Sequence, residues 1–208
     1  MNHRLLIATN NQGKVRELQE ILSDLHVELV TPTQIGLTLE VEEDGFTYEE
    51  NAAKKALAFA HASRLIALAD DSGLEVDALD GAPGLHSARY SPKTGATDAD
   101  RRAYLLEKLT GKPHPWTARF HATIAVATPE GGVQFAEGNC PGEVIPEERG
   151  SGGFGYDPHF EDVESGLTGA ELPLERKNAL SHRGKVMREL LARLVERELV
   201  PLPESVER

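Results

Sequence analysis

Arg4-Leu5-Leu6-Ile7-Ala8, followed by Thr9-Asn10-Asn11-Gln12-Gly13-Lys14, is the stretch on which the reading of the fold turns. Arg4 to Ala8 is a short apolar run of the kind a buried strand uses. Thr9 to Gly13 is rich in turn formers. From about Lys14 the apolar residues Val15, Leu18, Ile21, Leu22 and Leu25 recur at helical spacing. Val27 to Val30 then reads as a second strand.

The same alternation continues along the chain. Thr47-Tyr48-Glu49-Glu50 has the form of a capping box, and the alanine-rich stretch Asn51 to Arg64 behind it predicts a helix. Leu65 to Ala69 predicts a buried strand that runs straight into Asp70-Asp71-Ser72-Gly73. A helix is expected over Ala99 to Leu109, started by Thr97 or Asp98. Arg119 to Ala127 shows partial alternation, with Phe120, Ala122, Ile124 and Val126 on one face. Pro129-Glu130-Gly131-Gly132 turns it into Val133 to Ala136 as a hairpin. Gly150 to Pro158 is a glycine-rich loop. A last helix is expected to run to about Leu199, with Met187, Leu190, Leu191 and Leu194 inward. No repeat, low-complexity tract or Pro/Ser-rich linker interrupts the chain, so residues 1–208 read as a single domain. Strands alternating with helices, plus one hairpin, predict an α/β fold with a mixed sheet.

Composition narrows the partners. Of 208 residues, 22 are Lys or Arg and 34 are Asp or Glu, for a formal net charge of −12. So acidic a chain is a poor match for a broad nucleic-acid surface. A small polyanion remains possible if a local cationic pocket, a divalent metal or both receive it. No apolar run approaches the roughly 20 residues that span a bilayer, and the N-terminus lacks the pattern of a signal peptide. Cys140 is the single cysteine, so no disulfide forms within the chain, and a cytoplasmic location is expected.

Five constellations carry chemistry. Thr9 to Lys14 sits at a helix N-terminus, where free N–H groups and the dipole attract anions. Lys14 in the first turn is unfavourable beside that dipole unless an anion joins it; the alternative is a plain strand-to-helix turn capped by asparagine. Asp70 and Asp71 follow an apolar strand, where one carboxylate can hold a divalent metal and the other activate water; the alternative is a solvated turn. Glu40-Val41-Glu42-Glu43-Asp44 offers a further carboxylate for a hard cation such as Mg²⁺, or is a solvated acidic loop. In Gly150 to Pro158 the glycines permit close approach to a ligand. There Phe154 or Tyr156 can stack on a planar base and Asp157 can accept hydrogen bonds; a flexible surface loop is the alternative. Lys177, Ser181, His182, Arg183 and Gly184 form a cationic cluster suited to phosphate or base carbonyls, or a solvated helix start. Cys140 has no Cys or His at metal-ligand spacing and reads as a small core or loop residue. His86 and His121 have no evident partner.

Taken together and in order, these segments resemble the inosine triphosphate pyrophosphatase family, also called Ham1-like, from Leu5 to about Leu194. The motifs are Thr9 to Lys14, Glu42-Glu43-Asp44-Gly45-Phe46-Thr47 with Glu50-Asn51-Ala52, and Ala69-Asp70-Asp71-Ser72-Gly73-Leu74. Gly81-Ala82-Pro83-Gly84 with Ser87-Ala88-Arg89-Tyr90, Gly152-Gly153-Phe154-Gly155-Tyr156-Asp157-Pro158, and Ser181-His182-Arg183-Gly184 complete the set. The resemblance implies an elongated mixed sheet flanked by helices, in two lobes with a central cleft, and a homodimer. It implies hydrolysis of ITP, dITP or XTP to the monophosphate and pyrophosphate, with Mg²⁺ as cofactor. It places the triphosphate on Thr9, Asn10, Asn11, Gln12, Gly13 and Lys14. The metal falls to Asp71 and Glu42 (or its neighbour Glu43), the general base to Asp71 and a substrate contact to Ser72. Phe154, Gly155, Tyr156, Asp157, Lys177, His182 and Arg183 are placed on the nucleotide, chiefly its base. Lys177-Asn178 departs slightly from relatives that carry Glu-Lys or similar just ahead, with Arg176 adjacent.

That chemistry agrees with the residues. A C6 carbonyl, present in hypoxanthine and xanthine and replaced by an amine in adenine, favours a pocket of donors such as His182, Arg183 or a backbone N–H. Two alternatives remain. A Maf-like pyrophosphatase for other nucleoside triphosphates is opposed by Ser181 to Gly184 and Phe154 to Pro158. A binding module that has lost catalysis is opposed by the intact Asp70-Asp71 pair and the acidic run.

Overall fold

The computed structural model describes residues 4–23, 27–181, 183, 184, 186, 187 and 190. Six strands follow the order β2-β1-β3-β4-β5-β6. They are β1 Arg4–Ile7, β2 Glu28–Val30, β3 Ile66–Val76, β4 Trp116–Ala127, β5 Val133–Val144 and β6 Phe160–Asp162. The helices are α1 Gln12–Ile21, α2 Tyr48–Ser63, α3 Asp98–Leu109 and α4 Leu174–Leu180. β1 pairs in parallel with β2 and β3, and β5 pairs antiparallel with β6. The sheet is therefore mixed, as the sequence predicts. The chain forms two compact units: residues 1–71, 123–137 and 183–208, and residues 72–122 and 138–182.

In the first unit β1 is apolar from Leu5 onward because both its faces are covered there. Leu5 and Ile7 join Leu68, Ile124 and Val126 against Val15, Leu18 and Leu22 of α1. Leu6 and Ala8, pointing the other way, join Ala67, Ala69, Ala125 and Ala127 against Ala52, Ala56, Phe59 and Ala60 of α2. The strand period of two sends alternate residues to the two layers. Alanine is the commonest buried residue of the layer facing α2, beside Leu6, Val30 and Phe59. Thr128 N donates to Gly132 O at 2.8 Å across the turn joining β4 to β5, a connection too short for any but an antiparallel pair. Met187 and Leu190 are buried in the α1 layer as expected; Leu191, Leu194 and the continuation to Leu199 lie outside the described residues.

The helix starts follow local chemistry. Asn11 caps α1, its Oδ1 accepting from Gly13 N at 2.9 Å and Lys14 N at 3.2 Å; this begins the helix two residues before the expected Lys14. Thr47 caps α2 through Glu50 N at 3.1 Å, while Glu50 reaches back to Phe46 N at 2.7 Å instead of closing on Thr47. Thr97 and Asp100 form a complete capping box on α3.

Three strands are longer than the sequence predicts. β4 begins at Trp116, three residues before the expected Arg119. β3 does not end at Ala69: it carries Asp70 and Asp71 inside it, 1% and 6% exposed. Their charges are met by partners on other elements, so the strand need not open to solvent there. β5 runs beyond Ala136 through Pro141 and Gly142 to Val144. Gly142 lies opposite Asp162 of β6, and a Cβ there would collide with the Phe160 ring and Glu161 O. The second unit packs Leu74 and Val76 of β3, Leu105 and Leu109 of α3, Trp116, Cys140, Val144, Tyr156 and Phe160 in one core.

Candidate active site

The pleat of β3 separates two adjacent carboxylates. Asp70 shares the orientation of Leu68 and points to the α1 layer; Asp71 shares that of Ala69 and points to the α2 layer. Each then meets a different chemistry.

Asp70 is the centre of a buried ion network. Arg183 donates to it from Nε at 3.0 Å and from Nη2 at 3.5 Å. Arg183 Nη1 pairs with Glu17 of α1, and Lys14 pairs with Asp70 Oδ1. Burial would push the Asp70 carboxyl up, but the Arg183 and Lys14 cations outweigh it and hold it far below the usual carboxylate range. Asp70 is a fixed anion. Burial lowers the Lys14 ammonium against the pull of Asp70, and the Lys55 and Arg183 cations add to the lowering.

Asp71 behaves oppositely. Burial raises its carboxyl above the ordinary value, and the Glu43 charge pushes the same way. Lys14, Lys55 and a hydrogen bond from Asn51 Nδ2 at 3.0 Å oppose the rise without cancelling it. Two neighbouring carboxyls driven apart in proton affinity supply a permanent anion and a proton acceptor side by side.

α2 supplies the other wall. Lys55, one turn beyond Asn51 on the same face, donates to Asp70 O at 3.0 Å and pairs with Glu43. A cavity of about 340 Å³ adjoins it, lined among others by Thr9, Asn10, Glu40 and Glu43. Asn10, Asn11 and Gln12 are exposed at the start of α1. Glu42 is exposed, whereas Glu43 is half-buried and lines that cavity. Ser72 is half-buried on β3.

In the second unit the loop 154–157 folds around Asp157. Its Oδ2 accepts from Phe154 N at 2.7 Å and from Lys177 Nζ of α4 at 2.5 Å. The Lys177 ammonium lies 5.1 Å from the centre of the Phe154 ring, a cation–π distance. Tyr156 is buried, donating from its hydroxyl to Ser87 O at 2.9 Å. Ser181 is buried at the end of α4; His182 lies outside the described residues.

A profile of the Ham1 family matches residues 5–193. The chain belongs to the Ham1 family. Among its Ham1 relatives, the dITP/XTP pyrophosphatase of Desulforamulus reducens is 50% identical over 197 residues, covering 92% of this chain and 96% of the relative. The protein of the same name from Geobacter sulfurreducens is 50% identical over 185 residues, covering 88% and 92%. The solved Ham1 protein of Coxiella burnetii superposes with a TM-score of 0.82 at 40% identity, covering 94% of this chain and all of that one.

The sequence singles out Lys14, Asp70, Asp71 and Arg183, and all four lie in the first unit. It does not single out Glu17 or Lys55, and it names Asn51 within a motif without giving it a role. Their signal is an ionic or amide group on a helix face that is otherwise apolar: Glu17 stands beside Leu18 on α1, and Asn51 and Lys55 among Ala52, Ala56 and Phe59 on α2. Such a residue needs a buried partner.

Proposed function

We propose that this Ham1 protein hydrolyses ITP, dITP and XTP to the nucleoside monophosphate and pyrophosphate, clearing non-standard purines from the nucleotide pool. The observation that carries the proposal is the placement of the two buried aspartates: Asp70 is bound by Arg183 and Lys14, while Asp71 faces Asn51 of α2. Asp71 is the general base: water attacks the α-phosphorus, its proton passes to Asp71, the α–β anhydride bond breaks and pyrophosphate leaves. Asp70, held ionised, anchors Lys14. The Lys14 ammonium, with the free N–H groups of α1 and the side chains of Thr9 to Gln12, receives the triphosphate and the charge that develops on it. Lys55, sequestered by Glu43 in this structure, is a second phosphate donor.

Mg²⁺ fits the donor set. Asp71 and Glu43 are hard oxygen donors whose charges repel one another, and a cation between such groups relieves that repulsion. Among the described residues no three acidic, His or Cys side chains gather into a ready cage. An Mg²⁺ ion held by one or two carboxylates and completed by substrate phosphates needs no such cage. When bound, it supplies charge neutralisation on the phosphates and a lowered pKa for water. Glu43 rather than Glu42 is the carboxylate that reaches the cavity.

Phe154, Gly155, Tyr156, Asp157 and Lys177 take the base, with Ser72 a further substrate contact. Donors facing the C6 carbonyl leave the adenine amine without a partner, which disfavours ATP. Arg183, with Nε, Nη1 and Nη2 engaged by Asp70 and Glu17, acts through that network. We also propose one catalytic domain, a homodimer and a cytoplasmic location; among the described residues no helix is long and apolar enough to cross a membrane. Pyrophosphate released from a panel of nucleoside triphosphates with Mg²⁺ tests the assignment. Preference for ITP and XTP over ATP supports it, and equal or absent release overturns it.

A further inference from the structure

The middle of the loop 154–157 is gripped by a helix to which the chemistry above assigns nothing. Gly155 has a φ of +61°, a backbone state natural to glycine, and with no side chain it can be held only through its backbone. The first turns of α3 do this. Asp98 Oδ2 accepts from Gly155 N at 2.8 Å. One turn later on the same face, Arg102 Nη1 donates to Gly155 O at 3.0 Å.

Both gripping side chains are themselves held. Asp98 Oδ1 pairs with Arg101, whose Nη1 also donates to Ala96 O at 2.7 Å. Arg102 Nε donates to Glu148 Oε1 at 2.8 Å. The capping of α3 by Thr97 and Asp100 uses other atoms than these contacts, so the helix start does not depend on the grip.

We propose that Asp98 and Arg102 are positioning residues that fix the Gly155 backbone and thereby set base discrimination without touching the substrate. The proposal rests on the reading that 154–157 contacts the base. Glycine-rich segments lose much conformational freedom when ordered. If the loop were ordered only as substrate bound, that loss would weaken binding; a loop already fixed has its donors in place. The effect therefore falls on KM and on the ratio between bases, and little on kcat.

The test compares Asp98→Ala, Asp98→Asn and Arg102→Gln with the parent, reading pyrophosphate from ITP and from ATP with Mg²⁺. Asp98→Ala is expected to raise KM for ITP about tenfold, with kcat near the parental value and a lower ITP:ATP ratio of kcat/KM. Asp98→Asn keeps an oxygen that can accept from Gly155 N and is expected to recover part of the loss. Arg102→Gln is expected to shift KM and the ratio in the same direction, and decides the matter if Asp98→Ala does not fold. Folded variants with parental KM and ratio overturn the proposal, as does an equal fall in kcat on both substrates. A parent inactive on ITP overturns the functional reading and this proposal with it; an active parent with unchanged variants overturns this proposal alone.

Discussion

Asp70→Asn isolates the ion network from the chemistry next to it. The amide is nearly isosteric, but it leaves Arg183 and Lys14 buried beside a neutral group, and its own N–H₂ would face their donors. Breaking a buried ion pair on one side costs about 3–5 kcal/mol. At roughly 2–4 °C per kcal/mol for a chain of this size, the melting temperature should fall by about 10 °C. Acid gives a second readout. The folded pKa of Asp70 lies well below the unfolded value of about 3.9. Its stabilising contribution is therefore complete above that pH and is lost as pH falls below it, by about 1.4 kcal/mol per pH unit. Urea unfolding followed by circular dichroism at pH 7 and pH 3 should show parent and variant far apart at neutral pH and closer in acid. Equal midpoints at pH 7, or a gap unchanged by acid, would refute the assignment of Asp70 as a fixed buried anion.

Asp71→Asn should fold like the parent yet lose about 10²–10⁴-fold in turnover, since an amide accepts no proton at neutral pH; near-parental pyrophosphate release would remove Asp71 from the chemistry. Lys14→Ala should weaken ITP binding far more than inosine binding, measured by calorimetry, and an equal loss for both would show that Lys14 does not serve the phosphates. Gly142→Ala should cost about 1–3 kcal/mol by forcing β5 and Phe160 apart, a shift visible in the urea midpoint and absent if the two strands can slide.

The strand–turn–helix opening and the α2 and α3 starts were legible because they depend on neighbours in sequence. The end of β3 was not. Asp70-Asp71-Ser72-Gly73 has the composition of a turn, and partners that include Arg183, Lys14, Lys55 and Asn51 make it tolerable inside a strand. The extension of β5 was hidden for a similar reason: Pro141 and Gly142 read as breakers, yet Gly142 is what lets Phe160 of β6 approach. At the site, residue types named the carboxylates but could not rank them. Which of Asp70 and Asp71 is held below the ordinary carboxylate value and which is raised above it depends on the alternation of β3 and on cations from distant segments. Glu42 and Glu43 were indistinguishable in sequence because a loop has no periodicity to say which faces the cavity.

The pairing of Asp70 with Arg183 also has a consequence in time. The two residues are 113 positions apart, and a ribosome adds roughly 5–20 residues per second, so Arg183 is made roughly 6–23 s after Asp70. Over that interval the nascent β3 holds a carboxylate whose chief cation does not yet exist. The second unit, ending at residue 182, has its whole sequence synthesised before the first unit receives that arginine. The first unit, begun earliest on the ribosome, is thus the later of the two to gain its full set of charges.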